Sequence, residues 1–176
     1  MGEFTHTLNG VLVDISSFTG DRNSIIMQAR RAAEDGTEEF YDRVFDWRET
    51  NSAGRWSDEY PENVILGTEK PDDLLEAVLE LKTNQKNAMF HHLDEIRKIS
   101  CDIDVIFQNM LAKNNAGFNM TAYHFRKLGQ IASGEYTVDS YFYNTIAYNS
   151  KITDELIDNI KANPSNYAIV MFDYHF

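Results

Sequence analysis

Residues 3–16 read EFTHTLNGVLVDIS, and the way this stretch folds decides the arrangement of everything else. Two β-prone runs, Glu3 to Leu8 and Val11 to Ser16, flank Asn9-Gly10. An Asn-Gly pair between such runs is the strongest short hairpin signal, because a type I′ turn needs two residues at positive φ. The expectation is a two-stranded ribbon over 3–16. At the other end, residues 167–176 read YAIVMFDYHF. Tyr167, Ile169 and Met171 make one alternating face, and Ala168, Val170, Phe172 and Tyr174 the other. A strand apolar on both faces belongs inside a sheet, so this one is placed beside the ribbon. The reading is an α+β fold: a small antiparallel sheet, N-terminal hairpin plus C-terminal strand, packed against about five or six helices.

Between these ends the pattern is mostly helical. Ile25, Ile26, Ala29 and Ala33 form a stripe over about 22–35, with Gly36 as a stop. Thr37 is placed to cap a second helix running to Glu49, with Phe40, Tyr41, Val44, Phe45 and Trp47 inward. Residues 50–71 read as a long connection pinned by Trp56 and Tyr60, with room for a short strand at Val64–Leu66. Pro71 opens a helix carrying Leu74, Leu75, Val78, Leu79 and Leu81, and a longer one is expected at about 85–113, ended by Asn114, Asn115 and Gly117. A short helix over 121–132 is closed by Gly134, and Thr153 caps one over 154–162. Residues 137–148 suit strand or helix, with β-prone aromatics favouring strand.

The chain has 176 residues, 43% of them apolar and 12% aromatic, which suits one packed domain over 1–176. No apolar run approaches the roughly 18 residues a membrane helix needs, and residues 1–20 lack the pattern of a signal peptide. A cytoplasmic location without membrane contact is the expectation. With Cys101 as the one cysteine, no disulfide can form within the chain, and a buried or inert thiol is expected. The net charge of −12, from 28 acidic and 16 basic residues, disfavours direct binding to nucleic acid and favours a basic partner.

Acidic residues form the most prominent constellation. In a helix, Glu38, Asp42, Asp46 and Glu49 fall on one face, and Asp72, Glu76 and Glu80 repeat that geometry on the next helix. Asp58, Glu59 and Glu62 lie between them. Carboxylates in such rows resemble the phosphate spacing of a nucleic acid, and a ridge of them would occlude the basic groove of a nucleic-acid-binding protein. The plainer account is a solvated helix face.

FHHLDE supplies the second constellation. His91 and Glu95 are spaced i, i+4, and His92 and Glu95 i, i+3, so either pair could form an acid–base couple or hold a metal. The order is not HExxH, and one surface histidine with one packed against a neighbour is the plainer account. His6, His124 and His175 are the imidazoles that a fold could bring to the same place. The third feature is six tyrosines after residue 135, which suit core packing or an interface. There is no glycine-rich phosphate cradle, no GxSxG and no EF-hand loop, and nothing calls for a cofactor.

The leading expectation is a non-catalytic acidic binding protein of the anti-defence or immunity type, occluding a basic surface of a partner. One alternative is a small hydrolase or transferase, metal- or His/Glu-dependent, using His91, His92 and Glu95. Another is a virion or scaffold component whose aromatic tail makes a homo-oligomer contact.

Overall fold

The computed structural model describes residues 5–112 and 119–176. At its centre, β1 (His6–Asp14) and β5 (Tyr167–His175) pair antiparallel, His6 opposite His175 and Asp14 opposite Tyr167. Two short strands share the other edge of β5: β2 (Trp47–Glu49) against residues 173–175, and β3 (Val64–Leu66) against residues 168–170. On the far side of β1 lies β4 (Phe142–Asn144), running parallel to it. The fold is α+β as expected, but the sheet is mixed rather than purely antiparallel.

The N-terminal hairpin is not formed. Asn9-Gly10 sits in the middle of a continuous strand, and Asn9 is fully buried. A Cβ on Gly10 would overlap Leu81 and stand 2.8 Å from Ile169 Cδ1. Glycine is needed here because a helix and a neighbouring strand press against the backbone, not because the chain reverses. Nine residues of β5 offer partners to nine of β1, and one long ladder satisfies more buried backbone groups than a two-residue turn would.

Both faces of the sheet are covered. On one, Val11, Val13, Val170, Phe172 and Tyr174 meet Ile26, Ala29 and Ala33 of α1 (Arg22–Thr37). On the other, Leu8, Leu12, Ile169 and Met171 meet Leu74, Ala77, Val78 and Leu81 of α2 (Pro71–Arg97), with Ile157 and Ile160 of α5 (Asp154–Ala162). Burying whole aliphatic side chains on each face contributes about 1.5–3 kcal/mol apiece before chain entropy is counted. Asp21 and Thr153 cap α1 and α5 by accepting backbone N–H groups at 2.8 and 3.1 Å. The chain passes through Gly36, where a stop was expected, to end α1 at Thr37.

Residues 38–49 are not a helix. A 3-10 turn at Glu38–Phe40 is followed by Asp42 at φ 63 and then by β2. Two things hold this path. Phe45 packs on Tyr174 with ring centroids 4.9 Å apart, and the open edge of β5 supplies backbone partners for residues 47–49. Residues 71–97 are one helix of 27 residues rather than two. No glycine or proline follows Pro71 within it to stop it. The chain breaks only before Asp102, whose side chain caps α3 (Ile103–Leu111). Asn119 rather than Thr121 caps α4 (Met120–Ser133), and Gly134 closes it at φ 81. The expected stop at Asn114, Asn115 and Gly117, like Glu3 and Phe4 of the ribbon, lies outside the described residues.

Among the described residues there are five α-helices, and none is long and apolar enough to cross a membrane. Cys101 is exposed, not buried. Tyr136, Tyr143 and Tyr174 are core residues, so the aromatic tail is largely spent on packing. The exposed apolar side chains are instead concentrated on α3, which buries none of its residues.

Candidate functional site

Beyond Leu81, α2 continues to Arg97, and α4 packs on α2. Glu80, Asn84, Asn87, Ala88 and His91 recur at i, i+4, i+7, i+8 and i+11, one stripe of the helix. The stripe forms a wall of a cleft of about 620 Å³. The other walls are the start of β1 (Thr5–Leu8), the turn carrying Trp56 and Glu59, and Asp139 with Tyr141. A second concavity of about 700 Å³ adjoins it, sharing Glu59 and Glu80, and adds Glu62, Asp73, Glu76 and Lys70. Both volumes lie in the range of ligand sites.

The combined lining is strongly acidic. Glu59, Glu62, Asp73, Glu76, Glu80 and Asp139 face it, with Lys70 as the one lysine or arginine among the described residues that line it. The neighbouring cation Arg22 is already tied to Glu62 and Glu69 at 2.6 and 2.8 Å. That ion pair holds the Glu62 carboxyl below its ordinary range. Tyr60 donates its hydroxyl to Glu80 at 2.9 Å. Burial first, then Glu80 itself, pushes that hydroxyl above its ordinary value, so it remains a protonated donor. A concave surface of one sign focuses its field outward and draws oppositely charged groups.

At the sheet end of the cleft, His6 Nδ1 lies 2.8 Å from Asp173 Oδ1. The two are diagonal neighbours on one face of the β1–β5 ladder, since Leu8 is the residue opposite Asp173. Asp173 is 1% exposed, and its second oxygen accepts the Arg55 backbone N–H at 2.9 Å. This approach depends on Gly54, which has φ 53 and no room for a Cβ against the Asp173 carboxylate. His6 is further enclosed by Trp47 and His175, whose rings stack at 5.1 Å while His6 meets both edge-on.

A second imidazole network closes the opposite end. His92 is 4% exposed. Its Nδ1 is 2.9 Å from His124 Nδ1, and its Nε2 is 2.9 Å from Asp139 Oδ2. Lys127 adds a cation 3.7 Å from the same carboxylate oxygen. Burial, followed by the neighbouring His92, pushes His124 below its ordinary value, so its neutral form is favoured. The pair ties α2 to α4 and fixes the wall that carries His91.

The acids expected on one helical ridge are dispersed. Glu38 pairs with Arg48 at 2.6 Å, Asp42 lies in the left-handed turn, Asp46 contacts His175, and Glu49 accepts the Asn51 N–H. Asp58 and Asp72 are exposed and do not line the cleft. Only Glu59, Glu62, Glu76 and Glu80 of that set come together. Of the His/Glu set, His91 and His92 line the cleft, but Glu95 is bonded to Lys98 and stands apart from it. No three His, Cys, Asp or Glu side chains among the described residues are placed to hold a metal. Asp173 and Asp139 are the residues that pattern reading passed over. The lone acid inside an otherwise apolar strand was the available signal for Asp173, because a buried carboxylate must be paired.

Set against protein-family models, curated proteins and solved structures, the chain matches none.

Proposed function

We propose that this chain is a non-catalytic binding protein whose acidic double cleft receives basic side chains of a partner protein. The observation that carries the reading is the pair of adjoining concavities sharing Glu59 and Glu80, with six carboxylates against one lysine. Seated there, a lysine- or arginine-rich surface would be occluded stoichiometrically, as an anti-defence or immunity protein would occlude a nucleic-acid-binding groove. The net charge of −12 would add long-range steering to the contact. The site is a hollow between α2 and the 54–62 turn, rather than a ridge along two helices.

The alternative built on His91, His92 and Glu95 has less support. Both ring nitrogens of His92 are already engaged by protein groups, and Glu95 is held by Lys98.

The test is fluorescence anisotropy with a labelled octalysine peptide and a labelled octaarginine peptide, at 20 and 200 mM NaCl. Wild type is expected to bind at low salt and lose at least about tenfold at high salt, since exposed pairs are screened beyond about 8–10 Å. The double substitution Glu59→Lys, Glu80→Lys is expected to abolish binding, while Asp42→Lys, Asp46→Lys changes it little. Equal losses from both double variants would reduce the cleft to bulk charge and overturn the reading.

A further inference from the structure

We infer that the cleft selects N–H-bearing cations through His6, which Asp173 holds as a hydrogen-bond acceptor. This deepens the binding reading above and rests on it: it names the group that is read and the residue that reads it. The recognised chemistry is an arginine guanidinium or a lysine ammonium, with His6 Nε2 as a specificity-determining contact.

The ring's own bonding sets its tautomer. Asp173 Oδ1 lies at His6 Nδ1, 2.8 Å away. A carboxylate can only accept, so the neutral ring carries its proton on Nδ1. Nε2 is then left with a lone pair, and it is the ring nitrogen available to the cleft that His6 lines. Asp173 cannot turn away, because its other oxygen is occupied by the Arg55 N–H and its flank is packed against Gly54. His6 itself is confined by the rings of Trp47 and His175.

The remaining polar groups share this acceptor character. Glu59, Glu80 and Asp139 offer only oxygens at neutral pH, and Asn84 and Asn87 can turn their amide oxygens inward. Trp56 adds an aromatic wall of the kind that favours cations. A site of acceptors against an aromatic surface fits a donor-rich cation and rejects an anion. An aliphatic amine lacking N–H donors would satisfy the charge and leave Nε2 unpaired. A quaternary ammonium is therefore the discriminating competitor.

Among the described residues, the charged and titratable groups that touch His6 or line the cleft with it are Asp173 and His175 of β5, Asp46 beside His175, and Glu59, Glu80, His91, His92, Asp139 and Tyr141. Protonating His6 would turn Nε2 into a donor and set a cation against the incoming cation.

Asp173→Asn tests the tautomer directly. The Arg55 N–H requires the amide oxygen, which places the amide NH₂ at His6 Nδ1. The ring must then move its proton to Nε2 and present a donor to the cleft. The experiment uses the full chain with 15N-labelled histidine at pH 8. The probes are octaarginine and octalysine peptides, with poly(trimethyllysine) octapeptide as the competitor lacking donors. Wild-type His6 is expected to show Nδ1 protonated and Nε2 bare, and its Nε2 resonance is expected to shift on peptide binding. The Asn variant is expected to show the opposite tautomer and about tenfold weaker binding, the size of one lost charge-assisted hydrogen bond. Trimethylated peptide is expected to bind wild type and variant equally.

Several results would overturn the inference while leaving the acidic-cleft reading intact: a bare Nδ1 in wild type, an unmoved Nε2 resonance on binding, or undiminished binding by a folded Asn variant. Should the variant fail to fold, the two wild-type resonances decide alone. Failure of wild type to bind any of the peptides at low salt removes the underlying reading and this inference with it.

Discussion

Gly54 and Asp173 are in contact at a point where no side chain larger than hydrogen fits: a Cβ on Gly54 would overlap the Asp173 carboxylate. The turn that carries Trp56 and Glu59 is thereby clamped to the central strand, and one wall of the cleft inherits its position from β5. Gly54→Ala combines this overlap with φ 53, a backbone region that costs a non-glycine residue about 1–3 kcal/mol. Urea denaturation should show a loss of roughly 2–4 kcal/mol. An alanine variant as stable as wild type would mean that the turn does not press on Asp173.

Gly10 tests the central strand in the same way. Gly10→Val places branched carbons where Leu81 and Ile169 already are, and overpacking of this kind costs about 1–3 kcal/mol. In a hairpin, the same substitution would instead open the turn and release residues 6–9 from β5. Amide exchange separates the two outcomes: Leu8 and Asn9 should remain among the slowest amides in wild type.

These two glycines show what was readable from residue patterns and what was not. Asn9-Gly10 is a strong local turn signal, but Leu8, Gly10 and Leu12 share one face and Asn9, Val11 and Val13 the other. Alternation through the pair was the evidence for an unbroken strand. The C-terminal strand, β3, the Thr153 cap and the Gly134 stop were legible, because each rests on local chemistry. Residues 38–49 carried a helical pattern that the free edge of β5 overrode, and such edges cannot be seen from a local window. The cleft was partly legible: Glu76 and Glu80 through helical spacing, His91 and His92 as a pair. The His6–Asp173 contact joins opposite ends of the chain and has no local signature.

Asn63 should be among the costliest polar positions. It is 1% exposed, its Nδ2 donates to Thr50 O and Met171 O at 2.8 and 3.2 Å, and its Oδ1 accepts from Arg30. Asn63→Leu removes these two Nδ2 bonds and the two that Arg30 donates to Oδ1, leaving the carbonyls and part of the guanidinium unpartnered. A loss of about 2–3 kcal/mol is expected, read as a lower urea midpoint with an unchanged m-value.

His124 makes stability depend on pH with a definite sign. The folded state favours its neutral form, so its proton affinity is below the ordinary value of 6.5. As pH falls through 6.5, the unfolded chain takes up this proton first, and folding weakens until the folded pKa is passed. Stability should therefore decline on acidification below 6.5 through this group, and His124→Gln should flatten that part of the curve. An identical pH slope in the two proteins would exclude His124 as its source.

The exposed helix α3 and the buried face of α2 should respond oppositely to truncation. Leu81 is fully buried, and Leu81→Ala should cost about 2–5 kcal/mol. Ile103 and Phe107 are 76% and 55% exposed, and their change to serine should alter stability by no more than about 0.5 kcal/mol. Thermal melts of the three variants would show whether α3 is as loosely attached as its exposure implies.

The β1–β5 ladder pairs His6 with His175 and Asp14 with Tyr167, while β2 and β3 take β5 as their strand partner. Local elements can therefore form early without gaining a sheet. Pairing of these remote segments must precede the sheet, and long-range pairing of this kind slows folding. Until that pairing forms, the cleft lacks the wall that Thr5–Leu8 supply, and its shape is a product of completed folding rather than of any part of it.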